Sequence, residues 1–125
     1  MKRLILASFL ASATVVGTVT SITAATADHA LAAGPLGDLA SLQAIVTDIQ
    51  SIAKTGDFSK AQSRITDFET LWDKDEETMK PMNKEAWHHV YDAADAALKA
   101  LRNKKPEASE VADTLSALSA ALASP

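Results

Sequence analysis

Two adjacent histidines are the first candidates for metal or proton-transfer chemistry in this chain. His88 and His89 lie in the stretch EAWHHVYDAAD, residues 85–95. On a helix, neighbouring side chains point about 100° apart, so the two imidazoles cannot chelate one ion as a pair. The helical projection places His89 on the solvent side, and it places His88 on one flank with Asp92 and Asp95. His88 is therefore the candidate ligand of the pair.

A row of carboxylates precedes the histidines at helical spacing. Glu69, Asp73 and Glu76 follow one another in steps of four and three residues, so on a helix they share one edge of the apolar stripe. A turn near residues 80–83 would bring Glu76 level with His88 on an antiparallel helix. Carboxylates and imidazole together bind divalent transition metals. The predicted metal site consists of Glu69, Asp73, Glu76, His88 and Asp92.

The same side chains also have an interpretation without a metal. The acidic residues can pair with Lys99 and Arg102 or face water, as charged residues on helix flanks commonly do, and His88 is then a half-exposed boundary residue. The handedness of the fold decides whether the two flanks meet. Ferritin-like bundles use a Glu-x-x-His motif on each of two helices, whereas this chain has that spacing on one helix only, at Glu85 and His88.

The residue types of this chain give little indication of catalysis. The chain has no cysteine, no Gly-rich phosphate loop and no nucleophile elbow. With His29 in an N-terminal lead, the folded part keeps two histidines. We predict that the protein is not an enzyme.

Four amphipathic helices must position these residues. The apolar spacing predicts helices at about 39–55 and 58–79, a third that begins after Asn83, and a fourth with Pro106 in its first turn. Asp38, Asp57 and Asn83 are placed to cap helices, Gly56 to end the first and Pro81 to end the second. Trp87, Val90 and Tyr91 are expected in the core. Short connections favour an all-α, antiparallel up-and-down four-helix bundle.

The N-terminal third of the chain predicts export. Lys2 and Arg3 precede an apolar run and then small residues, which is typical of a secretory signal peptide. Ala25-Thr26-Ala27 predicts cleavage before Asp28, and Ala30-Leu31-Ala32 is a later candidate that puts the cut as late as residue 33. We therefore expect a signal peptide at 1–27, a flexible lead at 28–37 and one domain at 38–125, in the periplasm or secreted.

Charge and cysteine content restrict the partners. The net charge of −4 becomes more negative when Lys2 and Arg3 are removed, which argues against nucleic acid or an anionic lipid surface as a partner. An exported chain without cysteine has no disulfides and no cysteine-based haem or zinc motif. We expect no membrane association after signal cleavage.

Two resemblances add to this interpretation. The stretch YDAADAALKALRNKKPEASEVADTL, residues 91–115, is similar in character to the third and fourth helices of the cytochrome b562 family, which implies a four-helix layout. That family holds haem with a methionine early in helix 1 and a histidine late in helix 4. Here residues 38–55 contain no methionine and the chain ends ALSAALASP, so the resemblance does not extend to haem ligation.

The stretch TGDFSKAQSRITDFETLWD, residues 55–73, resembles small uncharacterised periplasmic helical proteins of proteobacteria, and more faintly helical modules linked to iron uptake. These resemblances imply fold and compartment. We expect a non-catalytic binding or accessory module for a periplasmic partner protein, with divalent metal binding as the alternative and a haem or electron-transfer bundle as a third, weaker one.

Overall fold

The computed structural model describes residues 34–125, which form four α-helices. They are α1 (Ala40–Lys54), α2 (Phe58–Met82), α3 (Lys84–Arg102) and α4 (Ala108–Ala123). Each helix packs against the next and α1 packs against α4. The predicted all-α, antiparallel four-helix bundle is confirmed. The predicted signal peptide at 1–27 and the lead up to residue 33 lie outside the described residues.

Polar side chains and a glycine lie at the helix ends where the sequence predicts them, although Leu39 rather than Asp38 occupies the N-cap position of α1. The Asp38 carboxylate accepts a hydrogen bond from the Ala40 amide, and the Asp57 carboxylate accepts one from the Lys60 amide. Gly56 has a φ of +79°, a left-handed conformation that glycine adopts without steric cost. These interactions involve residues close together in the chain, so they follow from local sequence alone.

The connection between α2 and α3 is shorter than predicted. Pro81 does not stop α2 at residue 79, because α2 continues to Met82; the fixed φ of proline, about −65°, is itself a helical value, and near a helix end its missing N–H removes only one bond. Asn83 alone then ends α2 and begins α3, and its side chain accepts a hydrogen bond from the Ala86 amide. The expected turn of several residues is a single residue.

The start of α4 also differs from the prediction. Pro106 precedes the helix instead of lying in its first turn, and Glu107 occupies the N-cap position with an extended backbone. Proline disfavours a helical backbone in the residue before it, which keeps Lys105 outside a helix. The segment after Arg102 is therefore a loop.

The core is apolar throughout. No polar or charged side chain of the described residues is buried, apart from the indole groups of Trp72 and Trp87. The stripes of all four helices contribute, and the largest fully buried side chains include Phe68, Leu42, Ile49, Ile65, Leu101, Leu115 and Leu118. Hydrophobic burial rather than any buried ion pair holds the bundle together.

Residues 34–37 belong to the folded part. The Gly37 amide donates a hydrogen bond to the Gly34 carbonyl, and Leu36 is buried in the core. The predicted flexible lead of residues 28–37 therefore overlaps the bundle at its last four residues, because Leu36 is apolar and reaches the hydrophobic cluster. Among residues 34–125, no helix is sufficiently long and apolar to cross a membrane.

Candidate functional site

The interface between α2 and α3 differs from the other three. These two helices make the fewest contacts among the neighbouring pairs, and large aromatic side chains fill the space between them. A groove of about 300 Å³ opens there. We call it the α2–α3 groove, and its lining residues are Phe68, Glu69, Trp72, Asp73, Tyr91, Ala94, Asp95, Leu98, Lys99 and Arg102.

An aromatic column runs from the core to this groove. The rings of Phe68 and Trp72 stack with centroids 6.2 Å apart, Trp72 stacks on Trp87 at 5.7 Å, and Trp87 stacks on Tyr91 at 5.0 Å with planes 18° apart. Such offset aromatic pairs are favourable beyond the apolar area they bury. Three members of the column, Phe68, Trp72 and Tyr91, line the groove.

Tyr91 corrects a prediction. The helical projection expects it in the core, but its residue surface is 45% exposed. Tyr91 lies one turn after Trp87 and stacks against the outer side of that indole, so its ring is supported while part of it faces solvent. Tyrosine suits such a boundary because its apolar ring can pack while its hydroxyl stays hydrated.

Ion pairs occupy much of the groove rim. Glu69 and Arg102 form a cross-helix pair, with 2.7 Å between Glu69 Oε2 and Arg102 Nη2. Asp95 and Lys99 pair within α3, with 2.6 Å between Asp95 Oδ2 and Lys99 Nζ. The hydrogen bond and charge of Asp95 raise the pKa of Lys99. The interpretation in which Lys99 and Arg102 neutralise these acids therefore holds for Glu69 and Asp95.

Glu76 has a different partner from the one that a metal site requires. Its Oε1 lies 2.9 Å from Lys80 Nζ, and Lys80 Nζ lies 4.4 Å from the centroid of the Trp87 ring. A lysine ammonium over an indole face is attracted by the ring quadrupole. Glu76, Lys80 and Trp87 thus form a structural contact between the end of α2 and the start of α3.

The five predicted metal ligands divide into separate groups. Glu69 and Asp73 line the α2–α3 groove, whereas Glu76, His88 and Asp92 do not. His88 is exposed, with its ring edge-on to Trp87 at 5.0 Å. Within residues 34–125, no three His, Asp or Glu side chains are grouped to hold a metal ion. The flanks of α2 and α3 do face each other at Glu69 and Asp95, but arginine and lysine meet the carboxylates there.

Four carboxylates around the groove and the end of α2 form no ion pair with any described residue. They are Asp73, Asp75, Glu77 and Asp92. Asp73, Glu77 and Asp92 are exposed, and Asp75 is half-buried. The feature of this surface that the sequence did not indicate is the exposure of Tyr91, which lines the groove together with Asp73. The nearest signal for it is its spacing of four from Trp87.

Comparison of the chain with protein-family models, with curated proteins and with solved structures found no match. The resemblances stated from the sequence therefore remain predictions.

Proposed function

We propose that this protein is an exported, non-catalytic module that binds a basic segment of a partner protein at the α2–α3 groove. The observation that carries the proposal is the position of Tyr91, which is 45% exposed and stacked on the buried Trp87 ring. Tyrosine is enriched among the residues that dominate binding energy at protein interfaces. The periplasm is the expected compartment, on the strength of the N-terminal sequence.

The stacking of Tyr91 on Trp87 reduces the entropic cost of binding a partner at Tyr91. A side chain that must be immobilised at an interface costs about 0.5–1.5 kcal/mol. Stacking against Trp87 already restricts the Tyr91 ring in the unbound protein. A partner side chain that packs on its open face therefore gains contact area on a surface that is already ordered.

The unpaired carboxylates favour a basic partner. Asp73 lies on the groove rim and Asp92 follows Tyr91 directly, and neither has a cation partner among the described residues. A lysine or arginine of a partner can pair with them, whereas another carboxylate would be repelled. Arginine is the better match, because its guanidinium also stacks on an aromatic face.

The test is site-specific crosslinking in the intact cell. A photoreactive phenylalanine analogue replaces Tyr91, and in a matched control it replaces Ser116, which is exposed on α4. We expect one discrete adduct from position 91 and none from position 116, and mass spectrometry of the adduct identifies the partner. Equal adducts at both positions, or none at position 91, would contradict the proposal.

Charge reversal tests the recognition itself. With the identified partner purified, we expect Asp73→Lys together with Asp92→Lys to weaken binding by more than about tenfold and to reduce its salt dependence. Tyr91→Phe should bind nearly normally and Tyr91→Ala weakly. Thermal unfolding of each variant checks that the bundle is intact. Unchanged affinity after the double charge reversal would exclude the acidic rim as the recognition surface.

A further inference from the structure

Two methionines of α2 lie in opposite environments. Met82, the last residue of the helix, adjoins the one-residue connection to α3, and its surface is 53% exposed. Met79 lies one turn earlier and is buried in the core, with 4% of its surface exposed. The exposed thioether of Met82 is therefore open to reagents in solution, whereas that of Met79 is shielded.

Met82 covers the turn that precedes α1. A methyl group built on Gly37 would lie 3.7 Å from Met82 Cε and 3.9 Å from Met82 Sδ, which is ordinary van der Waals contact. Gly37 has a φ of +84°, a left-handed conformation that residues with a Cβ adopt only with strain. Met82 thus lies on the side of the turn where Gly37 itself can supply no side chain.

The turn at Gly37 is anchored on both sides. Leu36 and Leu39 are buried in the core, and the Gly37 amide donates a hydrogen bond to the Gly34 carbonyl, with 2.9 Å between nitrogen and oxygen. The contact with Met82 therefore joins the end of α2 to the start of the bundle. It also leaves the Gly37 N–H engaged, so that this donor is not free for a new acceptor at Met82.

We propose that Met82 is a reversible oxidation site and that its oxidation by a peroxide loosens the turn at Gly37. The sulfur lone pair attacks one oxygen of hydrogen peroxide, the O–O bond breaks and an S–O bond forms. Sulfur loses two electrons, the proton on the transferred oxygen passes to the leaving hydroxide to give water, and the product is methionine sulfoxide. The proposal does not depend on partner binding at the α2–α3 groove.

Oxidation changes what the Met82 side chain can contact. A thioether is soft and largely apolar, so it packs well against the backbone of the turn. A sulfoxide is polar and carries an acceptor oxygen, which is costly to hold against apolar groups without a donor. Because the nearby Gly37 N–H is bonded to Gly34, the sulfoxide turns to water and the cover over the turn is lost.

Treatment of the isotope-labelled protein with hydrogen peroxide tests both parts of the proposal. Peptide mass spectrometry measures how fast each methionine gains one oxygen atom, and NMR measures the exchange of the Gly37 amide with water. We expect Met82 to be oxidised several times faster than Met79, in line with its exposure. We expect the Gly37 amide to exchange about fourfold faster or more, the factor that corresponds to one methylene group withdrawn from apolar contact.

Gly56 provides a matched control amide. It also has a positive φ, of +79°, and its amide bonds to the Ala53 carbonyl three residues earlier, but a methyl group built on it would meet nothing within 4 Å. It precedes the start of α2, whereas Met82 ends that helix. Peroxide should therefore leave the exchange of the Gly56 amide unchanged.

Two variants of Met82 separate oxidation from other effects of peroxide. Met82→Leu keeps an apolar side chain without sulfur and should abolish the response, whereas Met82→Gln is polar and of similar length and should give fast Gly37 exchange without peroxide. Methionine sulfoxide reductases for both epimers should restore slow exchange in oxidised wild type.

Three results would overturn the proposal. Equal rates of oxidation at Met79 and Met82 in the folded protein would remove the selectivity of the site. Unchanged Gly37 exchange in protein that carries the sulfoxide at Met82 would exclude the coupling to the turn, and so would a response to peroxide that persists in Met82→Leu. Because the main measurement uses wild type, it does not depend on the folding of any variant.

Discussion

The indole rings of Trp72 and Trp87 stack across the α2–α3 interface, with centroids 5.7 Å apart and planes 27° apart. Both rings are almost fully buried, and neither indole N–H has a hydrogen-bond partner in the described structure. This pair holds α2 and α3 apart and so creates the groove that we propose as the docking site. Its two unpaired donors also have a measurable consequence for stability.

Replacing Trp72 by phenylalanine should change the free energy of unfolding by less than about 1 kcal/mol. The smaller ring loses apolar contact, but the substitution also removes a buried donor whose lack of a partner costs about 1–3 kcal/mol. Trp72→Ala should instead cost about 3–5 kcal/mol, because it leaves a cavity. Urea unfolding measures both variants. A loss in Trp72→Phe as large as in Trp72→Ala would show that the N–H is hydrogen-bonded in solution.

Asn83→Ala should destabilise the bundle by about 1 kcal/mol, within the usual range of about 0.5–2 for loss of an N-cap. Asn83 is the only residue between α2 and α3, and its side chain satisfies the Ala86 amide. Asn83→Asp keeps an acceptor oxygen and should restore most of the stability. Asp57→Ala is the comparison at the start of α2, where the cap bonds the Lys60 amide. Thermal and urea unfolding measure the stability of each variant. Equal stability of Asn83→Ala and Asn83→Asp would argue against a capping role of the Asn83 side chain.

The contribution of the Asp95–Lys99 pair should disappear at high pH. Asp95 raises the pKa of Lys99 above its ordinary value of 10.5, so the folded state favours the charged lysine. Its stabilising effect is complete below the unfolded pKa and is lost as the pH rises through the folded pKa. Because the pair is exposed, the effect is small. We expect the urea midpoints of wild type and Asp95→Asn to differ at neutral pH and to converge as the pH rises through the raised pKa of Lys99. A difference that persists there would implicate a cause other than the lysine charge.

Zinc titration tests the metal site predicted from Glu69, Asp73, Glu76, His88 and Asp92. We expect no saturable one-to-one binding at these residues, because Arg102 and Lys80 engage two of the carboxylates and the remaining groups are not gathered around one point. Calorimetry makes the measurement. Tight one-to-one binding that is lost on His88→Ala with Glu76→Ala would establish the site.

The elements of the fold that are set by neighbours in sequence could be predicted. Asp57, Asn83 and Gly56 act within one helical turn, and the apolar stripes have the helical period, so helix number, helix class and most helix ends follow from the chain. The helix limits predicted from Pro81 and Pro106 are wrong. α2 continues through Pro81 to Met82, and Pro106 lies before α4 instead of in its first turn. Proline restricts its own φ and the residue before it, and these restrictions allow more than one helix limit.

The sequence predicts less of the candidate site than of the fold. The sequence places Glu69 and Asp95 at one level of neighbouring helices, and the structure brings both to the same groove. The sequence offers Lys99 and Arg102 as partners of the acidic residues, but it could not indicate which carboxylate Arg102 reaches or that Lys80 covers Trp87. Long side chains choose among several partners within reach. Tyr91 was expected in the core for a related reason: the width of a buried stripe depends on how closely the next helix approaches.

The sequence by itself determined four amphipathic helices, their polar caps, an acidic exterior and the order in which the helices follow one another, because these depend on local geometry and on hydrophobic period. The tertiary structure alone decided that α2 and α3 separate around Trp72 and Trp87, that Tyr91 is left half-exposed, and that His88 and His89 face different surroundings. Those outcomes depend on the packing of side chains that are distant in sequence. An aromatic pair sets the spacing between two helices, and that spacing determines which side chains the solvent reaches.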